Sequence, residues 1–460
     1  MVAVPVVVVP AATVRVVIVA GVVGFGMGIV IGAPVVVVVV GAEVVLPGRV
    51  VCGVPDGRPL VLVLVALVHV FHHTPRGYST GDAPPLDTPG CRVDHEPMQQ
   101  TSRIRRSVAT GLTVIAVVVG VLVPATTASA ATTPAVPVTA LRVSGTVMVD
   151  TAGKAVKLRG VNRSGTEYNC QQGGGVFSGP TDQASIDLLR SWNVNAVRIP
   201  LNEHCWLGID WAPQSTGEPY RAAIQDYVNR LAANGIRSIL DLHFTGPKAI
   251  WGEQQKEMAN TTYSLPFWTS VASRFATSPA VLYEPFNEPH DISVDCWRNG
   301  CWMPEGWQAA GYQQLVSTIR ATGAEQPIIV NGLDWGHDMS PLTTAMPTDP
   351  ANALVAGQHL YNFKRCVTAS CWSSQFGPVA AKMPMVAGEI GVNDCSTAMP
   401  LAFMRWMDAN GGDGYVFWNF GVSGCPDGGQ YGGSALISDW NGTPTPYGDA
   451  VRQYFLSRPV

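Results

Sequence analysis

The chain has 460 residues, with 29 Lys plus Arg against 33 Asp plus Glu and a formal net charge of -4. That balance offers no basic stripe to track a phosphate backbone, so nucleic acid is not the expected partner. Length alone would allow two or three domains, but composition shifts sharply: all 13 tryptophans lie at or beyond Trp192, and residues up to about 70 are dominated by Val, Ala, Gly and Pro.

Within that leading stretch, residues 13–31 and 60–70 have the apolarity of membrane spans. A span needs about 20 apolar residues, and short lengths with neighbouring prolines make poor helices here. A secretory signal then begins at Met98. Arg103, Arg105 and Arg106 form its cationic start, residues 108–123 its apolar middle, and Ala128-Ser129-Ala130 a small-residue cleavage site. The expected organisation is therefore upstream translated sequence at 1–97, with a membrane-embedded leader as the alternative. A signal peptide at 98–130, a short linker at 131–139 and one globular domain at 140–460 follow. Export fits the cysteines, since eight of the ten lie beyond residue 130 and disulfides persist in oxidising compartments. Spacing pairs Cys296 with Cys301 and Cys366 with Cys371. Positions after neighbouring strands pair Cys170 with Cys205 and Cys395 with Cys425. Zinc is the rival reading, and the cysteines are too scattered for it, with no C-x2-C doublet.

The globular part opens with two alternating runs, 141–149 and 155–158, whose joining Asp150-Thr151-Ala152-Gly153 predicts a β-hairpin. Eight short apolar runs follow at 158–162, 195–199, 238–242, 281–286, 327–330, 354–359, 384–387 and 414–418. Helical periodicity separates them: Ile224, Tyr227, Val228 and Leu231 before the third run, Trp268, Val271 and Phe275 before the fourth, and Tyr312, Leu315, Val316 and Ile319 before the fifth. Asn234-Gly235 and Asn410-Gly411 are helix stops. Continuously apolar strands alternating with helices predict an α/β fold, a (β/α)8 TIM barrel with a short N-terminal β-hairpin. A doubly wound sheet is the runner-up. It would carry a glycine-rich turn directly after its first strand, and Gly173-Gly174-Gly175 lies too far along to serve.

Barrel strands deliver their C-terminal ends to the functional face. The polar residues at those ends are Asn162, Arg198, His243, Asn287 with Glu288, His359 with Tyr361, Glu389, and Trp418. Glu288 and Glu389 stand on opposite sides of the ring after apolar sequence. Either alone would be read as a buried ion pair, but the set matches the needs of acetal hydrolysis, one protonated and one ionised carboxyl facing across a sugar. Arg198 and Tyr361 can stabilise a Glu389 anion, while Glu288 has no evident cation of its own.

These residues sit in Val-Arg-Ile-Pro around Arg198, Asp-Leu-His at His243, Phe-Asn-Glu-Pro at Glu288, His359-Leu360-Tyr361, Ala-Gly-Glu-Ile-Gly at Glu389, and Phe417-Trp418. In that order they resemble glycoside hydrolase family 5, the cellulase family of clan A, and in particular bacterial secreted endoglucanases. The resemblance implies that Glu288 is acid/base and Glu389 nucleophile, and that Asn287 binds the sugar 2-hydroxyl. It also implies that Arg198 and Tyr361 orient the nucleophile, that His243 and His359 line the same subsite, and that Trp418 forms its floor. No metal or organic cofactor is expected. Indole faces stack on sugar C–H faces, and Trp206, Trp251, Trp297, Trp302, Trp335 and Trp372 fall in segments after strands as candidate aromatic subsites. Trp192, Trp268 and Trp406 fall on helices and are expected in the core. The expected partner is a polysaccharide or oligosaccharide, acted on by a monomer without a membrane partner after signal cleavage. β-1,4-Glucan leads as substrate. Mannan, xylan, β-1,3-glucan and exo-action stay open, as does a carbohydrate-binding barrel without catalysis, which the presence of both glutamates disfavours.

Overall fold

The computed structural model describes residues 138–209, 215–247, 254–422 and 434–458, with the backbone of four short strands nearer the N-terminus. The chain divides into two units, Met1–Ala125 and Thr126–Val460. In the first, Val17–Ala20 pairs antiparallel with Val35–Val38, and Val50–Cys52 with Cys91–Val93. The expected signal at 98–130, and the linker up to residue 137, lie outside the described residues. Among the described residues, no helix is long and apolar enough to cross a membrane.

The second unit opens with a hairpin whose register differs from expectation. Arg142–Ser144 pairs with Val147–Val149, folding about Gly145 at φ +63°. The first alternating run is thus a hairpin by itself, because glycine enters the left-handed region that a two-residue turn demands. The second run is held only through a bridge from Val149 to Ala155. Asp150 Oδ1 closes the intervening turn by accepting from the amides of Ala152 and Lys154, each at 2.9 Å.

Eight parallel strands then close a barrel: β1 Leu158–Asn162, β2 Ala196–Asn202, β3 Arg237–Phe244, β4 Val281–Glu284, β5 Ile328–Asn331, β6 Leu354–Tyr361, β7 Met385–Gly391 and β8 Gly414–Phe417. Each falls where its apolar run predicted it. Helices Glu218–Ala233, Ser264–Phe275 and Tyr312–Arg320 bury every periodic position named above. Asn234 and Asn410 cap their helices, and Gly235 and Gly411 follow with φ of +79°.

Side chains alternate along a strand with period two, and this alternation stacks the barrel interior in layers. Leu158, Ala196, Ile239, Leu282, Ile329, Val355, Val386 and Val416 pack together with Leu141 and Met148 of the hairpin, which closes the bottom. Outward neighbours such as Val197, Leu240, Tyr283 and Tyr415 belong to the larger cluster shared with the helices. Stepping two residues along each strand from the apolar layer reaches Asn162 by way of Gly160, then Arg198, Asp241, Glu284 and Asn331. A layer of buried polar and charged side chains therefore sits directly above the apolar layer inside the barrel.

Three of the expected disulfides are formed: Cys170–Cys205, Cys296–Cys301 and Cys366–Cys371. Cys395 is also disulfide-bonded, while Cys425 lies outside the described residues.

Candidate active site

Arg198 is the hub of the polar layer and is fully buried. Its Nε and Nη2 donate to both oxygens of Glu284 at 2.9 and 2.7 Å. Nη2 also donates to Asn287 Oδ1 at 2.6 Å and lies 3.0 Å from Asp241 Oδ2. Nη1 serves Asn162 Oδ1 at 2.9 Å and Glu389 Oε1 at 2.8 Å. Burial works against the guanidinium charge, but Asp241, Glu284 and Glu389 together outweigh it and hold Arg198 well above its ordinary range. Burial likewise raises Glu284, and Arg198 with His359 overcomes it, pulling that carboxyl down to about 2. A rigid fork fits such a divided task, because guanidinium donors point in fixed directions.

Strand register brings the candidate residues together. Asn162 pairs beside Arg198, and His359 beside Glu389. The ladder slips between Gln358 and His359, and again between Ala387 and Ile390, so both irregularities flank Glu389. Bulges of this kind re-aim side chains beside active sites. Glu389 Oε2 accepts a hydrogen bond from the Tyr361 hydroxyl, whose own ionisation burial and Glu389 push far out of range. His359 Nδ1 lies 2.9 Å from Glu288 Oε1 and 3.8 Å from Glu389 Oε2. One ligand atom from each of Glu288, His359 and Glu389 falls within 4.8 Å of the others. These three form the one set among the described residues whose spacing a divalent ion could also bridge.

The protonation pattern corrects the sequence expectation that Glu288 lacks a cation. Burial raises Glu288, but the hydrogen bond and charge of His359, with His243 and Lys364 behind it, bring it below its ordinary value. Burial raises Glu389 too, and although His359 and Arg198 pull it back, it stays above its ordinary value. His359 is disfavoured as a cation by burial, yet Glu389, Glu284 and Glu288 lift it to about 10. The Glu288 and His359 shifts both favour a charged His359 hydrogen-bonded to an ionised Glu288, a contact 71 residues apart in sequence, where adjacency along the chain gave no hint of it.

Asn287 is oriented by elimination. Arg198 takes its Oδ1, leaving Nδ2 buried with no partner among the described residues. A buried amide donor left unpaired is costly, so Nδ2 is a donor to spare at this site. His243 places Nδ1 at 2.7 Å from Asp241 Oδ2 and accepts at Nε2 from Gln255 at 3.3 Å. Its ring stacks on the half-buried Trp418, centroids 5.5 Å apart. Burial lowers its pKa, keeping it neutral.

Among the candidate aromatics, Trp206, Trp297 and Trp372 are core residues. Each is almost fully enclosed, and each indole N–H is spent internally, on Ser270 Oγ, Asn331 O and Cys366 O respectively. All three lie on short helices inside the segments after strands, where the residue type gives no sign of which way it faces. Trp251 lies outside the described residues. Trp302 is 69% exposed, and the half-buried Trp335 stacks on His290 at 3.5 Å. Trp192, Trp268 and Trp406 are core as expected. The sequence reading passed over Asp241, Glu284 and Asn331, whose Nδ2 binds Glu284 Oε1 and the Asn287 carbonyl, each at 2.6 Å. The signal was present: a charge or amide inside an otherwise apolar strand run needs a partner.

The sequence model described as Cellulase (glycosyl hydrolase family 5) matches residues 149–424. Endoglucanase gh5-1 of Neurospora crassa is 28% identical over 241 residues, covering 49% of this chain and 56% of that protein. The major extracellular endoglucanase of Xanthomonas campestris pv. campestris is 24% identical over 336 residues, covering 64% of this chain and 66% of its own length. The chain thus spans rather more than half the length of these relatives. In fold it is similar to the β-glucanase SdGluc5_26A from Saccharophagus degradans, solved in complex with cellotetraose, with a TM-score of 0.52 at 22% identity, covering 69% of this chain and 93% of that one.

Proposed function

Because the chain belongs to glycosyl hydrolase family 5, we propose that it is a retaining β-glycoside hydrolase, acting as an endo-β-1,4-glucanase on a secreted route. The observation that carries this reading is the approach of Glu288 and Glu389 to within 4.8 Å. Retaining enzymes hold their carboxyls about 5–5.5 Å apart, whereas inverting ones leave about 6.5–9.5 Å for a water.

In the first step Glu389 attacks the anomeric carbon while a proton passes to the leaving oxygen from Glu288. The proton comes from the His359–Glu288 bond. The Glu389 charge is among the contributions that hold His359 protonated, with those of Glu284 and Glu288, so consuming its anion in the glycosyl bond weakens that hold as the proton is needed. Glu288, then a carboxylate, takes a proton from water in the second step, and Glu389 is released. Arg198 and Tyr361 keep Glu389 aimed, and Asn287 Nδ2 is free for the sugar 2-hydroxyl. Trp418, backed by His243, offers the floor.

The glucan preference draws on the endoglucanase relatives and on the cellotetraose bound by the similar β-glucanase. Export is supported by the signal-like segment at 98–130 and by three formed disulfides. The test is a reducing-sugar assay of the purified protein on β-1,4-glucan, β-1,3-glucan, mannan and xylan, alongside Glu389→Gln. Turnover highest on β-1,4-glucan and lost in the variant is expected. Turnover that survives in Glu389→Gln refutes the mechanism, and a preference for mannan or xylan refutes the substrate.

A further inference from the structure

Asp241 is fully buried inside the barrel, and it is a carboxyl that the two-step reaction above does not use. Along β3 the period of two puts Ile239 in the apolar layer, Asp241 above it and His243 beyond, all on one face. Asp241 Oδ2 lies 2.7 Å from His243 Nδ1 and 3.0 Å from Arg198 Nη2. The other oxygen, Oδ1, is buried with no hydrogen-bond partner among the described residues. Two neighbours thus converge on one oxygen and leave its twin unused.

This convergence fixes where the His243 proton sits. A guanidinium carries donors only, so Oδ2 faces Arg198 with a lone pair and not with an O–H. Burial raises the Asp241 carboxyl and the Arg198 charge opposes it. Any proton taken up goes to Oδ1, the oxygen that no cation faces, and Oδ2 stays an acceptor in either state. His243 is kept neutral by burial, and a neutral imidazole has one N–H, placed by the hydrogen bond its ring makes. That N–H is on Nδ1 and is spent on Oδ2. Nε2 keeps its lone pair, with the Gln255 amide nitrogen standing 3.3 Å away as a donor. Stacking on Trp418 at an interplanar angle of 15° sets the plane of the ring, while Asp241 sets which edge bears the proton.

We propose that Asp241 is a positioning residue: by accepting from His243 Nδ1 it makes Nε2 an acceptor, so that the sugar hydroxyl meeting His243 donates its proton there. This rests on the hydrolase reading above, which places His243 beside the sugar. Asp241 acts by accepting and not by its charge, so asparagine can replace it. The asparagine carbonyl oxygen would take the place of Oδ2 and its amide nitrogen that of Oδ1, because the reverse placement sets an N–H against the guanidinium. Leucine has a similar shape and no acceptor.

The experiment compares wild type, Asp241→Asn and Asp241→Leu, each also combined with His243→Gln, with thermal melts confirming folding. Long-range proton–nitrogen NMR on isotope-labelled histidine reads which nitrogen of His243 is protonated, its signals assigned by their loss in His243→Gln. Nδ1 is expected to carry the proton in wild type and Asp241→Asn, and Nε2 in Asp241→Leu. On an aryl β-cellobioside, kcat/KM of Asp241→Leu should fall about tenfold below that of Asp241→Asn, the scale of one hydrogen bond. That gap should close to within twofold when His243 is glutamine, as it must if the two residues act as a pair. A wild-type His243 protonated on Nε2 overturns the proposal, and this spectrum needs no change at Asp241. So does a gap that persists without His243, which would mean that Asp241 acts through Arg198, or the lack of any gap with His243 present. A wild type inert on the aryl substrate refutes the hydrolase reading itself, while the proton on His243 is still read by NMR.

Discussion

Replacing Arg198 with methionine removes the buried cation while keeping most of the side-chain length. In the folded protein Arg198, with His359 beside it, holds Glu284 at about 2, against an ordinary 4.5. At about 1.36 kcal/mol per unit, that difference is worth about 3 kcal/mol, of which Arg198 contributes the larger part. An independent route gives a similar figure, since removing one partner of a buried ion pair costs about 3–5 kcal/mol. Against a total stability of about 5–15 kcal/mol the variant still folds, with its melting midpoint lowered by about 5–10 °C. The pH dependence has a definite sign. Glu284 has a depressed pKa, so its contribution is fully present above about pH 4.5 and disappears as pH falls through about 2. Urea denaturation followed by tryptophan fluorescence should show the full deficit at pH 7 and a smaller one at pH 3. A deficit under about 1 kcal/mol at pH 7, or one that does not shrink in acid, refutes Arg198 as the electrostatic centre of the barrel.

His359 titrates in the opposite sense. Lifted to about 10 from 6.5, it contributes stability that is fully present below pH 6.5 and lost as pH rises through about 10, on the order of 5 kcal/mol. His359→Gln should therefore be less stable than wild type at pH 6 and converge with it by pH 10 in the same denaturation assay, and parallel curves would count against the cluster. The same variant frees Glu288 from the cation that depresses it, so the Glu288 limb of the pH–rate profile should move upward. Gly357→Ala would place a Cβ 1.9 Å from Asn331 Oδ1 and 2.8 Å from Ile329 Cγ2. Displacing Asn331 loosens both Glu284 and the Asn287 backbone, so a stability loss of about 1–3 kcal/mol with a reduced kcat is expected. Unaltered kcat would detach Asn331 from the active geometry.

The barrel was legible because its strands are buried on both faces and read as unbroken apolar runs. β1 was located to the residue, and β4, whose run extended two residues too far, was misjudged only where Pro285 ends the ladder. The polar residues that gather at the candidate site were legible at the ends of those runs. Illegible features depend on which strands become neighbours. The His359–Glu288 bond joins β6 to the segment that follows β4, two places away in the barrel, and Arg198 gathers partners from β1, β3, β4 and β7. The orientation of Trp206, Trp297 and Trp372 was equally hidden, since a short helix inside a connecting segment can turn an aromatic side chain inward as readily as outward. Gly145 could have been read as a turn, and overlooking it merged one hairpin into a single strand.

The central claim is double displacement by Glu288 and Glu389, and the stereochemistry of the first product tests it most directly. In proton NMR of cellotetraose hydrolysis, the new reducing end should appear as the β-anomer and only later equilibrate with the α-anomer. An α-anomer formed first would mean inversion, and the close carboxyl pair could not then be nucleophile and acid.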